Sequence, residues 1–393
     1  MTDQAASKPA SNRFGWLDTM KGLAILWIVL FHFCDTNPIV GRYPWILGPS
    51  YVTKLLAKCS SFAPFETFTY LTKGLFVGVV QLGFHGVGIF LIASGFGLSY
   101  SLAKSGGPSK GWLAWYGKRF LRLFPLYWVA HLIYLISPFI FRAEPTDYRF
   151  LLSLLGLRLY PLDMIFYYAN PAWWFFTLLL QLYLAFPLLY YLQKKLGPSP
   201  FLSLCALVTF GARYLMLCVV PVDGNYVQGA FFAGRLMEFA AGMVLGQLAQ
   251  QDAQLTESRF FSRTALVAGL ATYALGVASY NSLGAYVFTD ALTGIGLFVI
   301  LAHGCRALKT SAAPVAAGLA FVGTYSYGLY LIHQPYVLYF GERMRHMGLL
   351  KFVPLACALI ALITLGSMVV ERYVNRLTGW VAARGGADRR QRK

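Results

Sequence analysis

Residues Gly22–Cys34 read GLAILWIVLFHFC, an apolar run with one histidine, His32, near its end. Charge precedes it at Asp18 and Lys21, and no small-residue cleavage site follows, so it reads as a retained first membrane span and not as a signal peptide. Outward from it the chain repeats the theme. Further apolar segments fall near 82–103, 120–140, 171–192, 201–219, 229–249, 264–281, 285–303, 314–339 and 352–371. A spanning helix takes roughly 20 apolar residues, so these amount to about ten spans. The stretch 43–80 is aromatic and broken by proline and polar residues, and it reads as a loop with an interfacial or re-entrant helix.

The composition excludes a soluble multidomain protein. Hydrophobic residues make up 58% and charged residues 12%, with a mean hydropathy of +0.57. A soluble domain has about 25% charged residues. The expected fold is therefore all-α and polytopic. Residues 1–14 are expected to be a disordered cytoplasmic N-terminus, 15–375 the transmembrane domain, and 376–393 a basic cytoplasmic tail lying on anionic lipid.

The formal charge of +18 would suggest nucleic acid in a soluble protein. Here topology accounts for it. With about ten spans both termini share a side, and placing them inside puts most basic residues on the inner face, as the positive-inside rule requires. No nucleic-acid partner is expected. The six cysteines show no paired spacing and read mostly as small buried apolar residues. No internal repeat points to a repeat-built transporter. No two histidines have metal-ligand spacing, so no metal is expected.

Ionisable residues inside spans are costly and usually functional. His32 lies eleven residues after Lys21, on the same stripe of one helix and ~16 Å farther along its axis. Asp18 stands one turn before Lys21 and can pair with it. A long ligand could enter at Lys21 and present its reactive end to the imidazole, whose neutral form burial favours. A core histidine with a snorkelling lysine is the plainer alternative. A second group is KRFLRLFPLYW, 118–128, where Arg119 and Arg122 share a helix face and suit a phosphorylated ligand. Ordinary cytoplasmic anchoring explains it as well.

Two more stretches stand out. FHGVGIFLIASGFGLSYSL, 84–102, has many glycines, which suit close helix packing or a backbone approach to a ligand near Ser94. GTYSYGLYLIHQPY, 323–336, sets Tyr327, Tyr330 and Gln334 on overlapping faces with His333 nearby. Arg235 and Glu238, at i,i+3, read as a structural ion pair. His85 and His131 could line the same cavity, while His303 and His346 look interfacial.

Together these stretches resemble the integral-membrane acyltransferase family 3, O-acyltransferases of bacterial surface sugars and related acceptors. The family's LDxxRG followed by a span with histidine is similar to Leu17-Asp18-Thr19-Met20-Lys21-Gly22 and His32. Its SGF matches Ser94-Gly95-Phe96, and its RxxR with a following proline matches Arg119, Arg122 and Pro125. Its SYxxYLxH matches Ser326 to His333, and its RLxxFxxG matches Arg235 to Gly242. The chain departs from the family at Leu179, where many relatives have a glutamate, and at Lys21, where arginine is commoner. The latter change keeps the charge but loses bidentate phosphate recognition.

The resemblance implies an acyl-CoA-dependent enzyme of the inner (plasma) membrane. Acetyl-CoA would be the usual co-substrate and a glycan or glycolipid the acceptor, with no permanently bound cofactor. It implies donor binding at Lys21, Arg119, Arg122 and Ser94, and chemistry at His32, His333 and Tyr327. His32 would act as base or carry the acyl group itself, and Tyr327, Ser326 or His333 would supply an oxyanion donor. Asp18, Arg235 and Glu238 would orient. Two rivals remain open: a transporter or flippase of lipid-linked sugar, and the same chemistry on a small-molecule acceptor. The oligomeric state is not legible.

Overall fold

A computed structural model describes residues 14–48, 50–137, 147–160, 168–220, 222, 227, 229 and 231–391, with side chains as far as Trp380. Every regular element among them is helical. In chain order they are α1 (Gly15–Asp35), α2 (Tyr51–Cys59), α3 (Pro64–Gln81), α4 (Gly86–Lys104), α5 (Gly111–Ile136), α6 (Tyr148–Leu154), α7 (Trp174–Leu196) and α8 (Pro198–Tyr214). There follow α9 (Leu236–Gln251), α10 (Ala253–Phe260), α11 (Arg263–Ala278), α12 (Leu283–Tyr286), α13 (Thr289–Ser311), α14 (Ala313–Thr324), α15 (Ser326–Met344) and α16 (Leu349–Gln391). The expected N-terminal tail, apart from Phe14, lies outside the described residues. The last helix continues into the expected basic tail, to Gln391.

Among the described residues, seven helices are long and apolar enough to cross a membrane, or nine if each of two bent pairs is one span. The bent pairs are α10–α11, at 57°, and α14–α15, at 78°. The expected span at 229–249 is not among these. It forms a 3-10 turn, Phe232–Arg235, that runs directly into the 16 residues of α9, close in combined length to the roughly 20 a crossing needs. The stretch 43–80 also differs from expectation. Its second half is α3, an 18-residue helix that a short turn joins to α4 in one 41-residue run. Pro64 sits in the first turn of α3, where a missing N–H costs nothing.

The interior is assembled by close backbone approach. A Cβ on Gly95 of α4 would collide with the carbonyl of Phe239 on α9, and one on Gly242 of α9 would collide with the carbonyl of Ile92 on α4. Only glycine lets two helix axes come this near. The same device joins α1 to α14, where Gly22 lies on the carbonyl of Leu319 and Gly323 on that of Asp18. The outward faces carry exposed Leu207, Leu270, Leu362 and Leu365, a surface that suits hydrocarbon better than water. Of the cysteines, Cys34, Cys205 and Cys305 are buried, Cys59 is half-buried, and Cys218 and Cys357 lie on the outer surface.

These packings place the site. α1 and α4 run antiparallel, since the Phe14 ring meets Phe96 and Tyr100 while Phe31 meets Phe84. α15 runs alongside α1 in the same direction, with His333 at the level of His32 and Gly341 against Thr36.

Candidate active site

One end of the α1–α15 pair gathers charge. Lys21 Nζ meets Asp18 Oδ1 at 2.7 Å, the ion pair their spacing suggested. The Glu371 carboxylate on α16 lies within electrostatic reach of Lys21 and Arg122 and accepts the Gly328 N–H of α15 at 2.8 Å. Arg119, one turn before Arg122, lies over the Trp115 ring, 5.3 Å from its centroid, and its Nε is buried with no hydrogen-bond partner. Tyr183 lies within reach of both arginines and beside the Ser94 hydroxyl. Lys21, Ser94, Arg119 and Arg122, scattered over a hundred residues, thus converge. Sequence reading missed Glu371 and gave Tyr183 no role.

The other level holds the histidines. The rings of His32 and His333 are roughly parallel, at 30°, with centroids 5.6 Å apart. His333 is 1% exposed. Its Nδ1 faces two carbonyl oxygens, Leu329 at 3.0 Å and Tyr330 at 2.9 Å. A carbonyl only accepts, so Nδ1 carries the hydrogen and Nε2 is a bare lone pair. That Nε2 is buried with no hydrogen-bond partner. Tyr327 gives its hydroxyl proton to the carbonyl of Leu123 at 2.9 Å. Neutral His333 thus offers a lone pair at Nε2, and Tyr327, through its hydroxyl, clamps α15 to α5. Tyr330, between the two levels, bonds the Ala172 carbonyl at 2.7 Å and the Phe176 N–H at 2.9 Å.

His32 lines a cavity of about 370 Å³. His85 lines it too, with Nδ1 3.0 Å from the Tyr273 hydroxyl and Nε2 3.1 Å from that of Tyr280. His131 does not join them. It belongs to a separate knot, with Nε2 2.9 Å from Ser153 Oγ and its ring stacked on Trp173.

Behind the cavity lies an ionic network larger than the pair expected. Arg235 holds Glu238 bidentately, at 3.0 Å and 2.6 Å, and reaches Asp290 at 3.3 Å. Arg213 bonds Asp290 and the carbonyls of Val287, Val227 and Tyr286. Gly88 and Gly294 leave the space that the Glu238 carboxylate fills. Asp290 and Arg213 could not be assigned from the sequence because their partners are remote in it. Leu179, at the position where many relatives have glutamate, is an apolar buried residue of α7.

A cation cluster at one level and an accessible imidazole at the other, about 16 Å apart along one helix, suit a ligand with a charged head and a reactive far end. Comparison with curated proteins and with solved structures gave no match. The family model of acyltransferase family 3, described as an acyltransferase domain, matches residues 14–372. With that match over nearly its whole length, on a bundle of membrane-spanning helices, the chain belongs to acyltransferase family 3 and is a multi-pass membrane acyltransferase.

Proposed function

We propose that this enzyme is an O-acyltransferase of the inner (plasma) membrane, with both termini cytoplasmic. It takes an acyl group, usually acetyl, from cytoplasmic acyl-CoA to a hydroxyl of a surface polysaccharide or glycolipid. The observation that carries the reading is the pairing of His32 with His333 one level away from Lys21, Arg119 and Arg122. The CoA phosphates bind the cations, with Arg119 and Arg122 offering forked donors. The pantetheine arm, comparable in length to the Lys21–His32 gap, brings the thioester carbonyl to His32. His32 accepts the proton of the acceptor hydroxyl, whose oxygen attacks that carbonyl. The tetrahedral intermediate expels the CoA sulfur, which takes the proton back from the imidazolium. An ester and free CoA thiol result.

The test uses the full-length protein in lipid nanodiscs with labelled acetyl-CoA and a glycan extract of the producing cell envelope. The wild type releases CoA thiol and labels the extract in alkali-labile form. His32→Ala, eluting as a folded protein, does neither. A transporter would release no thiol at all, and undiminished transfer by His32→Ala would remove the mechanism.

A further inference from the structure

The reaction as proposed uses one residue of the cavity of about 370 Å³, His32. Much of the remaining wall is aromatic. Trp45, Phe84 and Trp174 line it, and the Trp45 and Phe84 rings stack with centroids 5.9 Å apart. His85, Arg235, Tyr280, Tyr286, Asp290 and Thr293 supply the polar part. Lys21, Arg119 and Arg122 contribute nothing to this wall, so it is chemically distinct from the cation cluster.

Among the described residues the charges here are matched: Arg235 is shared between Glu238 and Asp290, and Arg213 is bonded to Asp290, giving two cations and two anions. A charged acceptor would have to break one of these pairs inside a protein interior, at heavy cost. A neutral polyhydroxylated ring need not. Its hydroxyls can donate to carboxylate lone pairs that the arginines leave open, since each oxygen accepts more than once. The Asp290 side chain keeps 14% of its surface accessible for this. The C–H faces of the ring pack on the aromatic wall. The volume falls at the small end of ligand sites, about 300–1,000 Å³. A second cavity of about 460 Å³ shares Phe31 and Trp45 with it but not His32, so the two adjoin at those rings, which suits a chain of linked rings.

We propose that this cavity is the acceptor subsite and binds an uncharged sugar ring, with Trp174 and Trp45 as its platform and Asp290 and Tyr280 holding its hydroxyls. The proposal rests on the acyltransferase reading above and adds where the acceptor sits and what charge it bears.

The experiment measures half-saturating concentrations for both substrates, with labelled acetyl-CoA and the envelope glycan extract as probes. The extract is split by anion exchange into neutral and charged fractions. The variants are Trp174→Leu and Tyr280→Phe, each checked for folding by elution profile, so that loss of one fold does not decide the matter. Each variant raises the half-saturating amount of the neutral fraction at least ten-fold and leaves that of acetyl-CoA within two-fold. A rise for acetyl-CoA instead assigns the cavity to the donor and overturns the proposal. So does an unchanged glycan dependence in both variants, or label confined to the charged fraction. A wild type that releases no CoA thiol defeats the acyltransferase reading itself, a result separable from the others.

Discussion

Glu371 and Gly328 are 43 residues apart, and the carboxylate of the first accepts the backbone N–H of the second at 2.8 Å. Gly328 lies in the first turn of α15, whose N–H groups have no partner within the helix. A carboxylate there also favours the positive end of the helix dipole. Because Glu371 is also within reach of Lys21 and Arg122, it ties the helix carrying His333 to the cation cluster. Glu371→Ala should destabilise the protein by about 1–3 kcal/mol, the cost of leaving a buried donor unsatisfied. Glu371→Gln keeps an acceptor oxygen and should lose less. Thermal unfolding in detergent checks the order; equal losses would mean the charge matters and the hydrogen bond does not.

The network of Arg213, Asp290, Arg235 and Glu238 makes a sharper prediction. Glu238 is fully buried, and removing its charge leaves two guanidiniums sharing one carboxylate. Glu238→Leu should cost about 3–5 kcal/mol, as expected when one member of a buried pair is lost. The double variant Glu238→Leu with Arg235→Met leaves Arg213 and Asp290 matched and should be less damaged than Glu238→Leu alone. Unfolding midpoints of the three proteins decide it, and a double variant weaker than the single would refute the charge argument.

Much of this was legible in the sequence, and the exceptions share a physical cause. The span around His32 was plain because its apolar run is unbroken. The motifs carrying Lys21, Ser94, Arg119 and Arg122 were legible one by one, and only the resemblance grouped them. The helix α3 was hidden by Glu66, Lys73 and its threonines, which dilute the apolar signal, and by Pro64, which reads as a breaker although it sits where a helix begins. The segment 229–249 read as apolar, and the structure adds that α9 is held against α4 by close glycine approaches. Glu371 stands at the end of an apolar run, where nothing local singles it out. Its meaning depends on Gly328, Arg122 and Lys21, which no local pattern connects to it.

Gly95 and Gly97 separate packing from propensity. A Cβ at Gly95 meets the Phe239 backbone, which cannot turn aside, whereas nothing lies within 4 Å of one at Gly97. Gly95→Ala should force α4 and α9 apart and yield little folded protein. Gly97→Ala should fold at least as well as the wild type, with up to about 1 kcal/mol gained from helix propensity. Yield of monodisperse protein on size exclusion is the measurement, and equal yields would show that the α4–α9 approach tolerates a methyl group.

The histidine pair makes the last prediction. His333 has its hydrogen fixed on Nδ1 by two backbone carbonyls and keeps a bare Nε2 in a buried site beside the ring of His32. If the two rings handle the transferred proton as one unit, losing either should cost roughly 10²–10⁴ in turnover, the usual worth of general acid–base catalysis. Losing both should cost little more than losing one, because groups that act together do not contribute additively. His32→Ala, His333→Gln and the double variant, compared for CoA-thiol release at saturating acetyl-CoA, test this. Glutamine at 333 keeps an amide that can donate to the same carbonyls, so folding is preserved while the basic nitrogen is lost. Losses that multiply in the double variant would mean that the rings act independently, and His333 would then be a positioning residue for α15 and not a partner in proton transfer.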